Sequence, residues 1–238
     1  MIQVRNFFPF CRKTSMEKIR LVHILTELDH PREIASVNSL SVLPSVGIEY
    51  IQQVNQRYTG DDWKLVKPIS HEENKGHGPG HYGAFQSFKK AILENFTPDL
   101  DALVLCECDC VLEVFPDVFL NNILKGLEFS QIHQLNHFSL GGRFIKGNLQ
   151  SPILETDPNF GDFYITDKII LAHCMVLTPI GREFYLSVLG GDSWDSPDIW
   201  FTKVNWDHGN RRFGVSYERS AFQHEGFSLI DNCWKDSQ

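Results

Sequence analysis

Several classes of protein are excluded by features that are rare or absent in this sequence. No apolar run approaches the roughly 20 residues that a membrane-spanning helix needs, so we expect no membrane span. The 238 residues contain 22 Lys and Arg against 30 Asp and Glu, which gives a formal net charge of −8. Because affinity for nucleic-acid phosphates comes mainly from Lys and Arg, this balance argues against nucleic acid as a partner.

The sequence also lacks the features of a secreted, disulfide-bonded protein. Its six cysteines are unevenly spaced and do not resemble a disulfide framework. The apolar stretch near Phe7 is too short and too interrupted for a secretory signal. Met16 precedes the first expected strand, so we interpret residues 1–18 as an N-terminal arm or an alternative start. We therefore expect reduced thiols and a cytoplasmic location.

Residues 19–238 show no repeats and no linker, and they predict a single α/β domain. Residues 19–25 are an apolar run typical of a buried strand, Pro31 suits the first position of a helix, and residues 48–54 predict a second strand. This order is that of a βαβ unit. The pattern further predicts strands at 102–106 and 173–177, and helices at 84–95, 116–129 and 179–189.

Two carboxylates, Glu107 and Asp109, follow the apolar run at the point where the third strand should end. Ligands of open α/β sheets bind at the carboxyl ends of the strands. Carboxylates two residues apart can both reach one hard cation, Mg²⁺ or Mn²⁺, which in turn holds diphosphate oxygens. The pair is therefore a candidate site for a metal-bound diphosphate.

The same segment contains three cysteines, Cys106, Cys108 and Cys110. With a distant His they can ligate Zn²⁺, which would make the chain a zinc-dependent hydrolase or a zinc-binding module. However, C-x-C-x-C is not the common C-x₂-C spacing, and in extended backbone the three thiols share one face with Val104. Because buried cysteines behave as small hydrophobes, we expect them to line the core.

A glycine-rich segment, residues 75–83, precedes the expected helix at 84–95. Its spacing matches neither the Walker A pattern nor the G-x-G-x-x-G dinucleotide fingerprint. Glycines allow the backbone to approach a ligand closely, and His77 and His81 are candidates for contact with a diphosphate.

Taken in order, these segments resemble the family 25 glycosyltransferases, which include lipopolysaccharide-type and collagen galactosyltransferases. Residues 80–92 are similar to the family's G-x-x-G-C-x-x-S-H block, and Glu107-Cys108-Asp109 is similar to its Glu-Asp-Asp after an apolar strand. Residues 172–181 resemble its later strand–turn–helix segment, and residues 195–200 resemble its later acidic site. The matched order covers residues 76–200.

Three departures mark the chain as a distant relative with the donor and the acceptor left open. The family's Ser-His is Ser87-Phe88 here, its middle acid is Cys108, and the cysteine of its glycine block is Ala84. The first and third acids, which fit the logic of the metal-binding DxD motif, remain.

The resemblance implies a GT-A fold, a Rossmann-type three-layer αβα sandwich with a mostly parallel central sheet. It also implies a hexosyltransferase with a nucleotide-sugar donor, Mn²⁺ or Mg²⁺, inversion at the anomeric carbon, and a carbohydrate or glycoconjugate acceptor. The chain is short for this family, which leaves room for a partner domain or chain to supply the acceptor site. An inactive sugar-binding domain of the same fold is a further alternative.

Inverting transfer needs a carboxylate that takes the proton of the acceptor hydroxyl. The resemblance points to Asp198 for this role, with Asp195 in reserve. A structural alternative is that Asp195 or Ser196 caps a helix and Asp198 lies in its first turn.

The remaining candidates are assigned to the metal and the donor. The expected metal ligands are Glu107, Asp109 and, in the tail, His224, whose neutral imidazole can complete a metal site. The expected donor-binding residues are Thr26, Glu27, His81, Gly83, Ser87 and Glu107.

Overall fold

The computed structural model describes residues 17–26, 30–55, 58, 60–65, 69, 78–141, 144–145, 148–149, 153–167, 173–191, 193–216, 219–223, 226–228 and 233–235. The helices are α1 (Pro31–Leu40), α2 (Pro79–Asn95), α3 (Pro116–His133), α4 (Pro179–Val188) and α5 (Pro197–Asp207), with short 3₁₀ helices at Leu43–Val46 and Asp62–Lys64. The strands are β1 (Ile19–Leu25), β2 (Glu49–Val54), β3 (Ala102–Cys106), β4 (Cys110–Leu112), β5 (His137–Ser139), β6 (Phe144–Ile145), β7 (Asn148–Leu149), β8 (Ile153–Thr156), β9 (Phe163–Thr166), β10 (Cys174–Leu177), β11 (Phe213–Ser216), β12 (Ala221–Gln223), β13 (Gly226–Ser228) and β14 (Cys233–Lys235).

All five of these α-helices begin with proline, the residue whose fixed φ suits the first helical position and whose missing N–H is not needed there. At α4 the start is reinforced by Thr178, whose hydroxyl accepts a hydrogen bond from the Gly181 N–H at 3.1 Å. At α1 the cap is His30, whose ring accepts a hydrogen bond from the Arg32 N–H at 3.4 Å.

Eight strands form one central sheet in the order β2-β1-β3-β10-β5-β11-β9-β8. Strands β1, β2 and β3 are parallel to one another, β10 is antiparallel to both β3 and β5, and β11 is parallel to β5. Because β9 is antiparallel to both β11 and β8, six of the eight strands run in one direction. The prediction of a mostly parallel central sheet is confirmed in this sense.

Side chains alternate along the strands between two apolar layers. On β3, Leu103 and Leu105 pack in a layer with residues of α2, α4 and α5. Val104 and Cys106 pack in the opposite layer with residues of α1 and α3. Helices therefore cover both faces of the sheet, which confirms the predicted three-layer α/β arrangement.

The glycine-rich segment differs from the prediction. Helix α2 begins at Pro79 rather than at Ala84, so Gly80 and Gly83 lie inside the helix and not in a loop before it. At Gly83 a Cβ would lie 2.7 Å from the Cβ of Tyr58, so the absence of a side chain permits this close packing. The earlier part of the segment, including His77, lies outside the described residues.

The acidic segment also differs from the extended backbone that we expected. Strand β3 ends at Cys106 and β4 begins at Cys110, with a turn between them closed by a 3.1 Å hydrogen bond from the Cys110 N–H to the Glu107 carbonyl. The turn removes the alternation of a strand, so Cys108 does not share the core face of Cys106 and Cys110. Within the described parts of the chain, no helix is long and apolar enough to cross a membrane.

Candidate functional site

The carboxyl ends of β1 and β3 bring distant parts of the chain to one edge of the sheet. In their parallel register His23 of β1 lies opposite Cys106 of β3. Thr26, just beyond β1, and the turn 107–109, just beyond β3, therefore lie at the same edge. This edge is where open α/β sheets bind their ligands.

Asp109 is held at this edge by the second residue of α1. Its Oδ2 forms an ion pair with the Arg32 guanidinium, and both residues are almost completely buried, with 3% and 5% of their surface exposed. The other acid of the turn, Glu107, is half-buried, and its N–H donates to the His173 carbonyl at 3.2 Å. The two predicted metal ligands therefore share one turn but have different surroundings.

A third carboxylate, which the sequence reasoning missed, lies beside the turn. Glu33 is fully buried in the first turn of α1, and its Oε1 accepts a hydrogen bond from the Thr26 N–H at 2.9 Å. The pKa of the Cys108 thiol is raised, first by burial and then by the negative charges of Glu33 and Glu107, which are close to it. Pro31 was the available signal, because it places Arg32 and Glu33 at the start of a helix that follows β1.

A buried histidine of β1 connects helix α1 to the acidic turn and to β2. The two ring nitrogens of His23 lie 2.9 Å from the Tyr50 hydroxyl and 2.8 Å from the Ser36 hydroxyl. The Ser36 hydroxyl also donates to the Cys110 carbonyl. Burial lowers the pKa of His23 to about 4. Hydrogen bonds with the backbone of Glu107 and Cys108 raise this pKa, but their effect is smaller than that of burial. His23 is therefore neutral at pH 7 and acts as a structural link.

These surroundings decide how well the turn fits a divalent cation. The carboxylate of Asp109 is already neutralised by Arg32, so a cation would have to displace the guanidinium. The predicted third ligand, His224, lies outside the described residues; the residue before it, Gln223, pairs in β12 with Cys110 of β4. As placed, Asp109 does not fit a metal site, whereas Glu107 keeps an exposed fraction.

The second acidic cluster surrounds the start of α5. Asp195 is fully buried and its Oδ1 accepts the Ser196 N–H at 2.8 Å, whereas Asp198 is half-buried in the first helical turn and accepts the Ile199 N–H at 2.9 Å. Ser196 occupies the N-cap position, and its side chain makes no capping hydrogen bond. Asp198 is the more accessible of the two predicted bases.

Aromatic contacts attach this cluster to the start of α2. The rings of Tyr82 and Trp194 meet edge to face with centroids 5.0 Å apart, and those of Phe85 and Trp200 lie 5.2 Å apart. Helix α2 leads into β3, so its first turn points toward the carboxyl edge of β3. The start of α5 therefore lies toward the same edge of the sheet as the acidic turn.

The predicted donor-binding residues are placed unequally. On α2, His81 is half-buried near the helix start, and the Ser87 hydroxyl donates to the Gly83 carbonyl at 2.9 Å within the helix. Thr26 lies at the carboxyl end of β1, whereas Glu27 lies outside the described residues. Thr26 and Glu107 follow β1 and β3 at the same edge of the sheet, and the Tyr82–Trp194 contact places the helix start that carries His81 and Gly83 near the start of α5.

Comparison with known proteins does not identify a family for this chain. No protein-family model matches the sequence, and no curated protein matches it at a significant level. Among solved structures, the chain is similar to mouse xyloside xylosyltransferase 1 in its apo form, with 9% identity and a TM-score of 0.35, over 83% of this chain and 84% of that one. The membership of family 25 stays a prediction.

Proposed function

We propose that this chain is a glycosyltransferase that moves a sugar, a hexose by its resemblance, from a nucleotide-sugar donor to an acceptor hydroxyl with inversion. The observation that carries the proposal is the Glu107-x-Asp109 turn at the carboxyl end of β3, beside the end of β1. Acidic residues at this position in an open α/β sheet suit a nucleotide diphosphate and its counter-charge.

The donor is proposed to lie along the edge formed by Thr26, the acidic turn and the start of α2. Glu107 is the acid of the turn that keeps solvent contact, and His81 and Gly83 lie at the helix start that faces the same edge. Mn²⁺ or Mg²⁺ belongs to the proposal because a divalent cation neutralises the departing diphosphate. Because Arg32 already neutralises Asp109, the cation would have to displace the guanidinium before it could bind this carboxylate.

The proposed base is Asp198, which takes the proton of the acceptor hydroxyl as that oxygen attacks the anomeric carbon. Its half-buried position at the start of α5 gives a substrate access, whereas Asp195 is closed off. Trp194 and Trp200, on either side of Asp198 in the sequence, are buried, and apolar walls of this kind limit the water that reaches a transfer site. The acceptor is proposed to be a carbohydrate or glycoconjugate that approaches from this side.

The test begins with donor binding. UDP-, GDP- and CMP-sugars are added to the purified chain with and without Mn²⁺, and thermal shift and calorimetry report which of them binds. Release of the free nucleotide measures turnover or donor hydrolysis. If none of the three donor classes binds, the proposal is wrong, and if a donor binds without turnover in the presence of acceptors, the inactive sugar-binding domain is the better description.

The role of Asp198 has its own test. Asp198→Asn is expected to leave donor affinity unchanged and to lower turnover by about 100- to 10,000-fold, the usual range for a general base. Asp117→Asn is the matched control, because Asp117 is an exposed acid in the first turn of α3. Equal turnover in both variants would remove Asp198 from the mechanism.

A further inference from the structure

Three cysteines from separate strands meet behind the acidic turn. Cys106 ends β3, Cys110 begins β4, and Cys174 begins β10. All three are completely buried, and their Sγ atoms lie within 4.8 Å of one another. Cys106 and Cys174 face each other across the antiparallel pair β3–β10, with their Sγ atoms 3.9 Å apart. This group, here called the thiol triad, contains Cys174 in place of the Cys108 considered from the sequence.

We propose that the thiol triad binds a thiophilic cation, Zn²⁺, at a site separate from the acidic turn. Zn–S bonds are about 2.3 Å long, so two sulfurs on a tetrahedral Zn²⁺ lie about 3.8 Å apart. The observed 3.9 Å between Cys106 and Cys174 matches this spacing without movement of the backbone. The third sulfur, at no more than 4.8 Å, reaches the ion by a small side-chain rotation.

Charge selects Zn²⁺ over monovalent soft cations such as Cu⁺. Three thiolates carry three negative charges, so Zn²⁺ leaves a net charge of −1, whereas Cu⁺ leaves −2. The surroundings are apolar, including Val104, Phe138 and Val176, and such surroundings disfavour uncompensated charge. The fourth position of the tetrahedron needs a neutral donor. Buried His173 is next to Cys174 in sequence, but its ring nitrogens are not among the described ligand atoms that lie within 4.8 Å of one another.

The three thiols of the triad shift one another's pKa values. Burial raises the pKa of Cys106, and hydrogen bonding with Cys106 and Cys174 raises that of Cys110. Hydrogen bonds from Cys106 and Cys110 lower the pKa of Cys174, because they stabilise its thiolate. Zn²⁺ binds thiolates, so every Zn–S bond formed by a thiol releases that thiol's proton to solvent, and the affinity for Zn²⁺ rises with pH.

The location of the triad gives the metal a structural consequence. Cys106 and Cys110 bracket the turn that carries Glu107 and Asp109. One Zn²⁺ bound to both of them and to Cys174 fixes the two ends of the turn to β10. The inference does not depend on the proposed glycosyl transfer, because the sulfurs and their spacing are independent of any sugar substrate.

The experiment uses the full chain, reduced and treated with a chelator, and titrates it with Co²⁺. We expect a thiolate-to-cobalt charge-transfer band that saturates at one equivalent and disappears when one equivalent of Zn²⁺ is added. Zn²⁺ at 100 times its dissociation constant is expected to raise the melting temperature by about 5 to 10 °C.

Variants locate the site. Cys106→Ser and Cys174→Ser are expected to weaken Zn²⁺ binding at least 100-fold, whereas Cys108→Ser, in the same segment but outside the triad, keeps the affinity of the unmodified chain. Loss of the band in Cys108→Ser but not in Cys174→Ser would overturn the assignment. If the triad variants fail to fold, the cobalt spectrum of the unmodified chain tests the proposal. The proposal is wrong if Co²⁺ does not bind to that chain, or if it binds without a thiolate-to-cobalt band.

Discussion

Removing one partner of the Arg32–Asp109 ion pair is expected to destabilise the fold strongly. The side chains are only 6% and 5% exposed, so Arg32→Met leaves the Asp109 carboxylate in a site with little water. Breaking a buried ion pair from one side costs about 3–5 kcal/mol. Since domains are stable by about 5–15 kcal/mol in total, this is a large part of the free energy of unfolding.

Urea unfolding followed by tryptophan fluorescence measures this cost through the extrapolated free energy of unfolding. The matched control is Lys125→Met, which breaks a 2.9 Å ion pair with Asp162 whose side chains are 36% and 58% exposed. An exposed pair contributes about 0–1 kcal/mol, so the control should unfold near the same urea concentration as the unmodified chain.

A double variant separates two effects, the loss of the ion pair itself and the cost of leaving one charge buried. Arg32→Met combined with Asp109→Leu removes both charges, and apolar replacement of a buried pair is often neutral. We expect it to regain at least half of the stability lost in Arg32→Met. A loss below about 1 kcal/mol in Arg32→Met, or a double variant as unstable as the single one, would show that the Asp109 carboxylate is not desolvated in the folded chain.

Two further predictions concern pH and packing. Burial lowers the pKa of His23 to about 4 and that of His137 to about 3, so the unfolded chain takes up protons first and stability falls as pH drops from 6.5 toward 4. Each histidine contributes up to about 2.7 kcal/mol of this loss by pH 4.5. In His23→Gln, the fall in the urea midpoint between pH 7 and pH 4.5 should be smaller by the contribution of His23. An unchanged pH dependence in this variant would contradict the lowered pKa of His23. A Cβ on Gly181 would overlap the backbone oxygen of Asn136, so Gly181→Ala should cost at least about 3 kcal/mol by the same assay, whereas Gly190→Ala, with open space around it, should change little. Equal stability of the two alanine variants would refute this packing.

Local patterns in the sequence were sufficient for the elements that are strongly apolar. The strand at 19–25 has the predicted bounds, and α4 and β10 differ from their predictions by one residue at one end. The start of α2 was predicted five residues late because the glycines were read as a loop, although Pro79 is a helix-start signal. Gly80 and Gly83 lie inside the helix. At Gly83 the missing side chain permits close packing against Tyr58 and does not indicate a flexible loop.

Contacts between distant residues were not predictable from local patterns. Arg32 and Asp109 are 77 positions apart, and Cys106 and Cys174 are 68 apart. Such pairs depend on the order of strands and on the register, which a single sequence does not reveal. The alternation rule grouped Cys108 with its neighbours because it assumed a continuous strand, and the turn after Cys106 breaks that assumption.

The position of β10 has a consequence for synthesis of the chain on the ribosome. Strand β10 pairs with β3 and β5 in the middle of the sheet, yet it leaves the ribosome after both. Until Leu177 has emerged, β3 has an open edge with unpaired backbone groups, which is a site for association with other chains. At 5–20 residues per second, the roughly 70 residues that separate the ends of β3 and β10 take about 4 to 14 s to make. Pairing of β3 with β10 therefore cannot precede the synthesis of Leu177, and the edge of β3 is open to association with other chains during that interval.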